Sequence, residues 1–194
     1  MNEKISELLK ANNGYVLSKQ LGSNVLRYQL KKMADKGELI MVKRGLYRDA
    51  QLSSGADWSQ VCRIIPSGVL CMFTAWQYFE LTTHVSSQIH IAVPHKQKVV
   101  LPDYPPIKLY YWSNQYQGMA KTENRYNGEN IIIYDLEKSV CDAVKFRNKV
   151  GIDITAEVLK NYIKRKDRNL DALMKYAKVL RISDTMTQYL NMML

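Results

Sequence analysis

The stretch SNVLRYQLKKMADKGELIMVKRGLYR, residues 23–48, decides the fold of the N-terminal part of the chain. Ser23 suits the N-cap of a helix that begins after it, and Gly37 suits the position just past the end of that helix. Two short apolar runs follow, one on each side of Lys43-Arg44-Gly45. Because Gly45 tolerates the positive φ of a tight turn, the pattern predicts a β-hairpin with a basic tip.

The predicted helix has two different faces. Leu26, Leu30 and Met33 recur at helical spacing and form an apolar face that can pack on a core. The other face is polar and mostly basic, and it includes one aromatic ring. It consists of Asn24, Arg27, Tyr28, Lys31 and Asp35.

The residues before this stretch predict two further helices. Ile5, Leu8 and Leu9 form an apolar stripe at helical spacing. Ser18 is expected to cap a short second helix, which Gly22 ends. Helix, short helix, turn, helix and hairpin then follow one another in the order of a winged helix-turn-helix.

Positive charge is concentrated in the same part of the chain. The net charge is +10 at pH 7, and residues 1–48 hold ten Lys and Arg against four Asp and Glu, a net of +6. A concentrated basic segment is typical of nucleic-acid-binding proteins, since Lys and Arg displace the cations condensed on phosphates. The order of the predicted elements and the positive charge of residues 1–48 together favour DNA binding. Winged helices also serve as protein-interaction modules, and that alternative stays open.

A winged helix places its third helix in the major groove and its hairpin along the backbone or the minor groove. Asn24 and Arg27 are therefore the predicted readers of base edges, because Asn suits adenine and Arg suits guanine in bidentate geometry. Phosphate contacts position a protein without reading sequence. They are predicted for Tyr28, Lys31, Lys43 and Arg44.

The fold class predicted for the whole chain is α+β, in two domains. Residues 1–48 are expected to form the winged helix-turn-helix domain. Residues 49–55, with the polar sequence DAQLSSG, are expected to be a linker. Residues 56–194 are expected to form a larger α+β domain with a helical C-terminal portion.

Alternating apolar residues predict three strands in the larger domain. They lie around residues 89–93, 107–112 and 131–133. Thr74 is expected to cap a short helix before them. Amphipathic helices follow from residue 135 onward.

The larger domain holds no complete catalytic or metal-binding motif. A metal nuclease is the sharpest enzyme hypothesis, because Pro102-Asp103 matches the first half of a PD…(D/E)xK pattern. No acid after Asp103 is followed two residues later by Lys, so the second half is missing. Asp135 and Glu137 are better explained as acids in the first turn of a helix. His84, His90 and His95 are expected to be either satisfied within the fold or solvent-facing, and not metal ligands. We expect no enzymatic activity, no metal and no cofactor.

Composition and termini predict a cytoplasmic protein. Cys62, Cys71 and Cys141 are odd in number and share no ligand spacing, so buried free thiols are expected. The N-terminal sequence MNEKISELLK lacks the apolar stretch of a signal peptide. Apolar runs fall short of the roughly 18 residues that span a membrane, so no membrane partner is expected.

Three segments of the chain resemble the AbiEi-type (abortive infection) antitoxins. Similarity to their N-terminal domain lies in GYVLSKQLG, residues 14–22, and in the basic helix and hairpin that follow it. MFTAWQYFELTTHVSSQIHIAVP, residues 72–94, is similar to their second region. DLEKSVCDAVKFRNKVGIDITAEVLKNYI, residues 135–163, is similar to their C-terminal domain. The order of these segments, which spans nearly the whole chain, carries the resemblance more than any single motif.

The resemblance implies a bacterial type IV toxin–antitoxin system that acts in abortive infection as a phage defence. Such an antitoxin represses its own operon, binding inverted repeats in promoter DNA through the winged helix. Its C-terminal domain counters a nucleotidyltransferase-like toxin without forming a stable complex. In this sequence the DNA-binding role falls on Ser18, Lys19, Asn24, Arg27, Tyr28, Lys31, Lys43 and Arg44.

Two other functions stay open. One is a winged-helix transcriptional regulator whose second domain binds a ligand or a protein partner. The other, less favoured, is the metal nuclease. The basic residues of the C-terminal helices could also contact nucleic acid, although a solvated helical face is the favoured interpretation. These residues are Lys160, Lys164, Arg165 and Lys166.

Overall fold

The computed structural model describes residues 3–52 and 58–193. The chain divides into two compact units, Met1–Asp57 with Val100–Tyr104, and Trp58–Val99 with Pro105–Leu194. Helices and a mixed β-sheet are both present, which confirms the predicted α+β class. Among the helices of the described residues, none combines the length and the apolar character needed to cross a bilayer.

In its described residues, the first unit contains two α-helices, a 3₁₀ helix and a three-stranded antiparallel sheet in the order β1-β3-β2. Strands β2 and β3 form the predicted hairpin. The elements are α1 (Glu3–Ala11), β1 (Tyr15–Leu17), the 3₁₀ helix (Ser18–Gln20), α2 (Asn24–Asp35), β2 (Leu39–Lys43) and β3 (Leu46–Asp49).

The apolar faces predicted for the first and third helices meet in one core. Ile5 and Leu9 of α1 are buried in the same cluster as Leu30 and Met33 of α2. Leu26 packs against this cluster and is half-buried. Burying apolar side chains of this size stabilises a fold by roughly 1.5–3 kcal/mol each, so the two helices and the sheet hold one another in place.

Of the two serine caps predicted in this unit, one is right and one is wrong. Ser23 Oγ accepts a backbone N–H from the first turn of α2 at 3.2 Å, and Gly37 lies just past the end of that helix with φ +76°. Ser18 is not a cap but the first residue of the 3₁₀ helix. The cap position belongs to Leu17, whose N–H donates to Gln20 Oε1 at 2.8 Å. A glutamine therefore supplies the side-chain acceptor that the serine was expected to supply.

The predicted linker is only partly described. Asp49 is the last residue of β3. Arg48 Nη1 donates to the carbonyl oxygens of Asp49, at 3.3 Å, and Leu52, at 2.8 Å. Residues 53–55 lie outside the described residues. The domain boundaries at residues 48 and 56 stay predictions.

The second unit contains a five-stranded sheet and eight helices in the described residues. The strands are β4 (Val69–Leu70), β5 (Ile89–Pro94), β6 (Ile107–Trp112), β7 (Lys121–Tyr126) and β8 (Glu129–Tyr134). The helices are α3 (Trp58–Ile64), α4 (Met72–Tyr78), α5 (Asn114–Gly118), α6 (Leu136–Lys145), α7 (Arg147–Val150), α8 (Ile152–Ile163), α9 (Leu170–Val179) and α10 (Ser183–Met193).

The sheet of the second unit is mixed, with the strand order β6-β5-β4-β8-β7. Strand β5 pairs in parallel with β6 and antiparallel with β4, β4 pairs in parallel with β8, and β7 and β8 form a hairpin. The three predicted strands are confirmed as β5, β6 and β8. Strand β4 consists of two apolar residues and is too short to show an alternation, and β7 has the polar sequence KTENRY, so the sequence patterns predicted neither strand.

Thr74 does not cap a helix, contrary to the sequence prediction. It lies inside α4, where Cys71 holds the N-cap position. Thr74 is buried, and its Oγ1 accepts the backbone N–H of His90 in β5 at 2.8 Å. The hydroxyl thus joins α4 to the sheet, through a partner that short-range sequence patterns do not reveal.

Helix α6 is the centre of the second unit, and every residue from Leu136 to Val144 is buried. Two of the three thiols predicted to be buried, those of Cys71 and Cys141, are buried, whereas Cys62 is half-buried. Asp135 is the N-cap of α6, since its Oδ1 accepts the N–H of Lys138 at 2.8 Å. Among the described residues, those that form the apolar core around this helix belong to the second unit.

An ion pair lies inside this core. Lys138 Nζ donates to Asp142 Oδ1 at 2.6 Å, and both side chains are 1% exposed. The ammonium also lies 4.2 Å from the ring centroids of Trp112 in β6 and Tyr134 in β8. Burial raises the pKa of Asp142, and the charge of Lys138 opposes that rise. A single lysine therefore connects the central helix with two strands.

We predict that Asp142→Ala destabilises the protein by about 3–5 kcal/mol, because it leaves the Lys138 ammonium buried without a counter-charge. The double variant Lys138→Met with Asp142→Ala removes both charges and is expected to be more stable than the single variant. Urea denaturation of the two variants and the parent protein measures both effects. Equal destabilisation by the single and the double variant would contradict this account of the pair.

Candidate nucleic-acid interface

The sheet of the first unit brings the hairpin tip next to the 3₁₀ helix. Leu17 of β1 pairs with Leu46 of β3, so the turn before Leu46 reaches the start of the 3₁₀ helix. There the backbone N–H of Ser18 donates to the carbonyl oxygen of Gly45 at 2.8 Å. Gly45 has φ +83°, and a Cβ at this position would lie 3.0 Å from Ser18 Oγ. Glycine is therefore required both by the turn and by the close approach.

The polar face predicted on α2 is exposed to solvent along its length. Tyr28 is 68% exposed, although its ring is large and partly apolar. Val25, which the sequence patterns did not single out, is 65% exposed beside it. The sequence could have predicted that Val25 is exposed, because it precedes Tyr28 by three residues and residues at this spacing share a helix face. The exposed polar residues of this face are Asn24, Arg27, Tyr28, Lys31 and Asp35.

Arg27 connects α2 to the 3₁₀ helix. Its Nε donates to the carbonyl oxygens of Ser18 and Leu21, both at 3.2 Å. Its Nη1 lies 3.4 Å from Asn24 Oδ1. The guanidinium has five N–H groups in all, so others remain for a ligand while these hold the two helices together. The two predicted base readers, Asn24 and Arg27, are thus in mutual contact.

Lys19 and Lys43 add their charges where the hairpin meets the 3₁₀ helix. Partial burial and the positive charge of Lys19 lower the pKa of Lys43. A bound anion is expected to reduce the electrostatic repulsion between these two like charges. Arg44, at the tip of the hairpin, is exposed. This arrangement suits a polyanion.

The eight residues predicted to bind DNA thus form two groups that meet at the 3₁₀ helix. The first group, from the 3₁₀ helix and the hairpin tip, is Ser18, Lys19, Lys43 and Arg44. The second group, from α2, is Asn24, Arg27, Tyr28 and Lys31. The hydrogen bond of Ser18 N–H with Gly45 connects the two parts of the first group, and the hydrogen bond from Arg27 to Ser18 joins the first group to the second. We refer to these eight residues as the basic surface.

In the second unit, the carboxylates considered for a metal nuclease are engaged in the fold. Asp135 Oδ2 accepts the hydroxyl of Tyr176 at 2.8 Å, in addition to its capping bond. Glu137 Oε1 accepts the N–H of Asn169 at 2.9 Å and the hydroxyl of Tyr162 at 3.3 Å. Within the described residues, no three His, Cys, Asp or Glu side chains are grouped to hold a metal ion.

His90 lies in a hydrogen-bonded chain. Its Nε2 is 2.9 Å from Ser86 Oγ and its Nδ1 is 3.0 Å from the hydroxyl of Tyr110. Burial and, to a smaller extent, the charges of Lys108 and His84 lower the pKa of His90 to about 4. The imidazole is therefore neutral at pH 7, and so weak a base is poorly matched to activating a serine at that pH.

We predict that Arg27→Ala loosens the 3₁₀ helix, because it removes the donor shared by the carbonyl oxygens of Ser18 and Leu21. Hydrogen exchange of a peptide covering residues 15–23 is expected to accelerate in this variant. Lys31→Ala is the matched control, since it removes a charge one turn further along the same helix and leaves those two hydrogen bonds in place. Equal exchange in the two variants would show that Arg27 does not hold the 3₁₀ helix.

Comparison with known proteins adds no assignment to this picture. No model of a known protein family matches the chain, and no curated protein matches it. The resemblance to AbiEi-type antitoxins therefore stays a prediction from the order of sequence motifs.

Proposed function

We propose that this protein is a DNA-binding autorepressor and antitoxin of a bacterial abortive-infection operon. The observation that carries the DNA-binding half is the basic surface, where hydrogen bonds join α2, the 3₁₀ helix and the hairpin tip, the three elements that bear its side chains. The antitoxin half rests on the resemblance of three segments, in order, to AbiEi-type antitoxins. Each half has its own experimental test.

The first unit is interpreted as a winged helix-turn-helix. In support, α1, the 3₁₀ helix and α2 precede a hairpin in the order that this architecture requires. The second helix of the motif is reduced to the three residues of the 3₁₀ helix. Arg27 compensates for this shortness, because it donates to both Ser18 and Leu21 and so fixes the turn against α2.

In this proposal α2 enters the major groove of promoter DNA. Asn24 and Arg27 contact base edges, and Val25 offers an apolar contact of the kind that thymine methyl groups accept. Tyr28 and Lys31 contact phosphates on one side of the groove. Lys19, Lys43 and Arg44 contact phosphates where the hairpin follows the backbone, and these contacts position the protein without reading sequence.

Neutralisation of the toxin is assigned to the second unit. That unit has an apolar core of its own around α6, built from residues such as Trp76, Val140 and Leu159. The partner proposed for it is a nucleotidyltransferase-like toxin encoded beside this protein, opposed without a stable complex. A regulator whose second domain only senses a ligand is the alternative, and it would give no protection against such a toxin.

Phosphate contacts are tested with the triple variant Lys19→Ala, Lys31→Ala, Arg44→Ala, whose three side chains are exposed. We predict weaker binding to the promoter of its own operon at every salt concentration. The slope of log affinity against log salt should fall by about one for each phosphate that the protein no longer neutralises. Fluorescence anisotropy with labelled duplex, measured over a range of salt concentrations, gives both quantities.

The matched control is Lys164→Ala, Lys166→Ala, Lys175→Ala, which removes the same charge from exposed positions of the second unit. It is expected to bind the promoter as the parent protein does. If this control loses as much affinity as the first triple variant, the basic C-terminal helices bind the DNA. The assignment of the basic surface is then wrong.

Antitoxicity is tested by expressing the first triple variant from a foreign promoter together with the product of the neighbouring gene. We predict that the variant still rescues growth, because neutralisation is assigned to the second unit. Circular dichroism checks that the variant is folded. If the folded variant fails to protect while the control variant protects, neutralisation runs through the basic surface. If the parent protein gives no rescue, the chain is a regulator without antitoxin activity.

A further inference from the structure

A cleft of about 810 Å³ lies along strand β6 of the second unit. In the described sheet, β6 is an edge strand that pairs only with β5, so its other side is open to the cleft. The volume lies within the range of roughly 300–1,000 Å³ that is usual for small-molecule sites. The function proposed above makes no use of this cleft.

Aromatic rings form much of the wall of the cleft. Phe73 of α4, Tyr110 of β6, Tyr116 of α5 and Phe146 after α6 line it, and each is half-buried. The ring of Trp112 also lines the cleft, but Tyr134 and Phe146 stack on it at centroid distances of 5.3 and 5.9 Å. Tyr110 stacks on His90 at a centroid distance of 5.6 Å, and Lys145 Nζ lies 4.5 Å from the centroid of the Tyr116 ring. A planar ligand would therefore meet these half-buried rings at their remaining faces and edges, by offset or edge-to-face contact.

The charge of the cleft is positive. Lys108 of β6 and Lys149 of α7 line it and are exposed, and none of its described lining residues is Asp or Glu. Ser86, Gln88 and Ser113 add uncharged hydrogen-bonding groups. His90, which is neutral at pH 7, joins Ser86 to Tyr110 and fixes the tyrosine ring against the wall. The aromatic rings favour a planar ligand because they can stack on it. The two lysines favour an anionic ligand, since no acidic residue among the described lining residues competes for them.

We propose that this cleft binds a nucleotide, with the base against the rings of Tyr110 and Tyr116 and the phosphate between Lys108 and Lys149. Stacking on aromatic side chains together with electrostatic attraction of phosphate is the usual way in which proteins hold single nucleotides without reading sequence. The ligand is either a free nucleotide or one residue of a single strand. This site lies in the second unit and is independent of duplex binding by the basic surface.

The proposal is tested by calorimetric titration of the full-length protein with ATP, GTP, CTP and UTP. Adenosine and tripolyphosphate serve as the two halves of the ligand. At least one nucleoside triphosphate is expected to bind about tenfold more tightly than either half, because base and phosphate each contribute. Tripolyphosphate binding as tightly as every nucleotide would overturn the proposal, since the rings would then have no role. Adenosine binding as tightly as ATP would overturn the role of the lysines.

Substitutions of residues that line the cleft test whether the nucleotide binds there. Lys108→Ala with Lys149→Ala, and separately Tyr116→Leu, are expected to weaken the nucleotide by about tenfold or more. The double variant Lys166→Ala, Lys175→Ala removes the same charge outside the cleft and should change nothing. Circular dichroism confirms the fold of each variant. Unchanged affinity in both cleft variants, or loss of affinity in the Lys19, Lys31, Arg44 triple variant, would overturn the assignment.

A second arm of the experiment distinguishes the two sources of the ligand. A single-stranded oligonucleotide of about twelve residues is titrated beside the free nucleotides. Tighter binding of the strand, abolished in the cleft variants, would identify a single strand as the ligand and keep the proposed chemistry. Absence of binding for both strand and nucleotides at low salt would overturn the proposal. Duplex binding by the first unit would be unaffected by that result.

Discussion

The buried ammonium of Lys138 is the constraint on which the second unit depends. An unpaired charge in an apolar core is costly, so the helix and the two strands around it must supply both a carboxylate and aromatic faces. Asp142 supplies the carboxylate from the next turn of α6, and Trp112 and Tyr134 supply rings from β6 and β8. This requirement fixes the end of β6 relative to α6. The rest of β6, with Lys108 and Tyr110, lines one wall of the cleft. Through Trp112, this wall is attached to the core around α6.

The first unit depends on a different kind of constraint, a set of hydrogen bonds of which one joins two backbone groups and the others run from a side chain to the backbone. A 3₁₀ helix of three residues has too few internal bonds to hold its own position. Gly45 receives the N–H of Ser18, and Arg27 caps the carbonyl oxygens of Ser18 and Leu21. A hairpin tip and a helix face that are distant in sequence thereby become one surface with several positive charges. In our proposal the same contacts that stabilise the unit also set the spacing of its DNA contacts.

Sequence patterns predicted the elements whose signal is local. The stripe of Ile5, Leu8 and Leu9, the Ser23 cap and the alternation in β5 and β6 each lie within a few residues. The patterns failed where the partner is distant. Ser18 and Thr74 look like caps, but one is tied to Gly45 and the other to His90. Lys138 and Asp142 are two opposite charges one turn apart, and no neighbouring residue in the sequence shows that this pair is buried. The cleft along β6 could not be predicted either, since its lining comes from five separate parts of the chain.

Promoter binding through the basic surface is the central claim, and a hydroxyl-radical footprint tests it most directly. The full-length protein is added to DNA from upstream of its own operon. We predict protection of two half-sites related by inverted symmetry, with the backbone protected on both sides of the major groove in which α2 lies and along the flanking stretch that the hairpin follows. A folded protein that leaves this DNA unprotected at low salt, or protects it without any preferred position, would contradict the account.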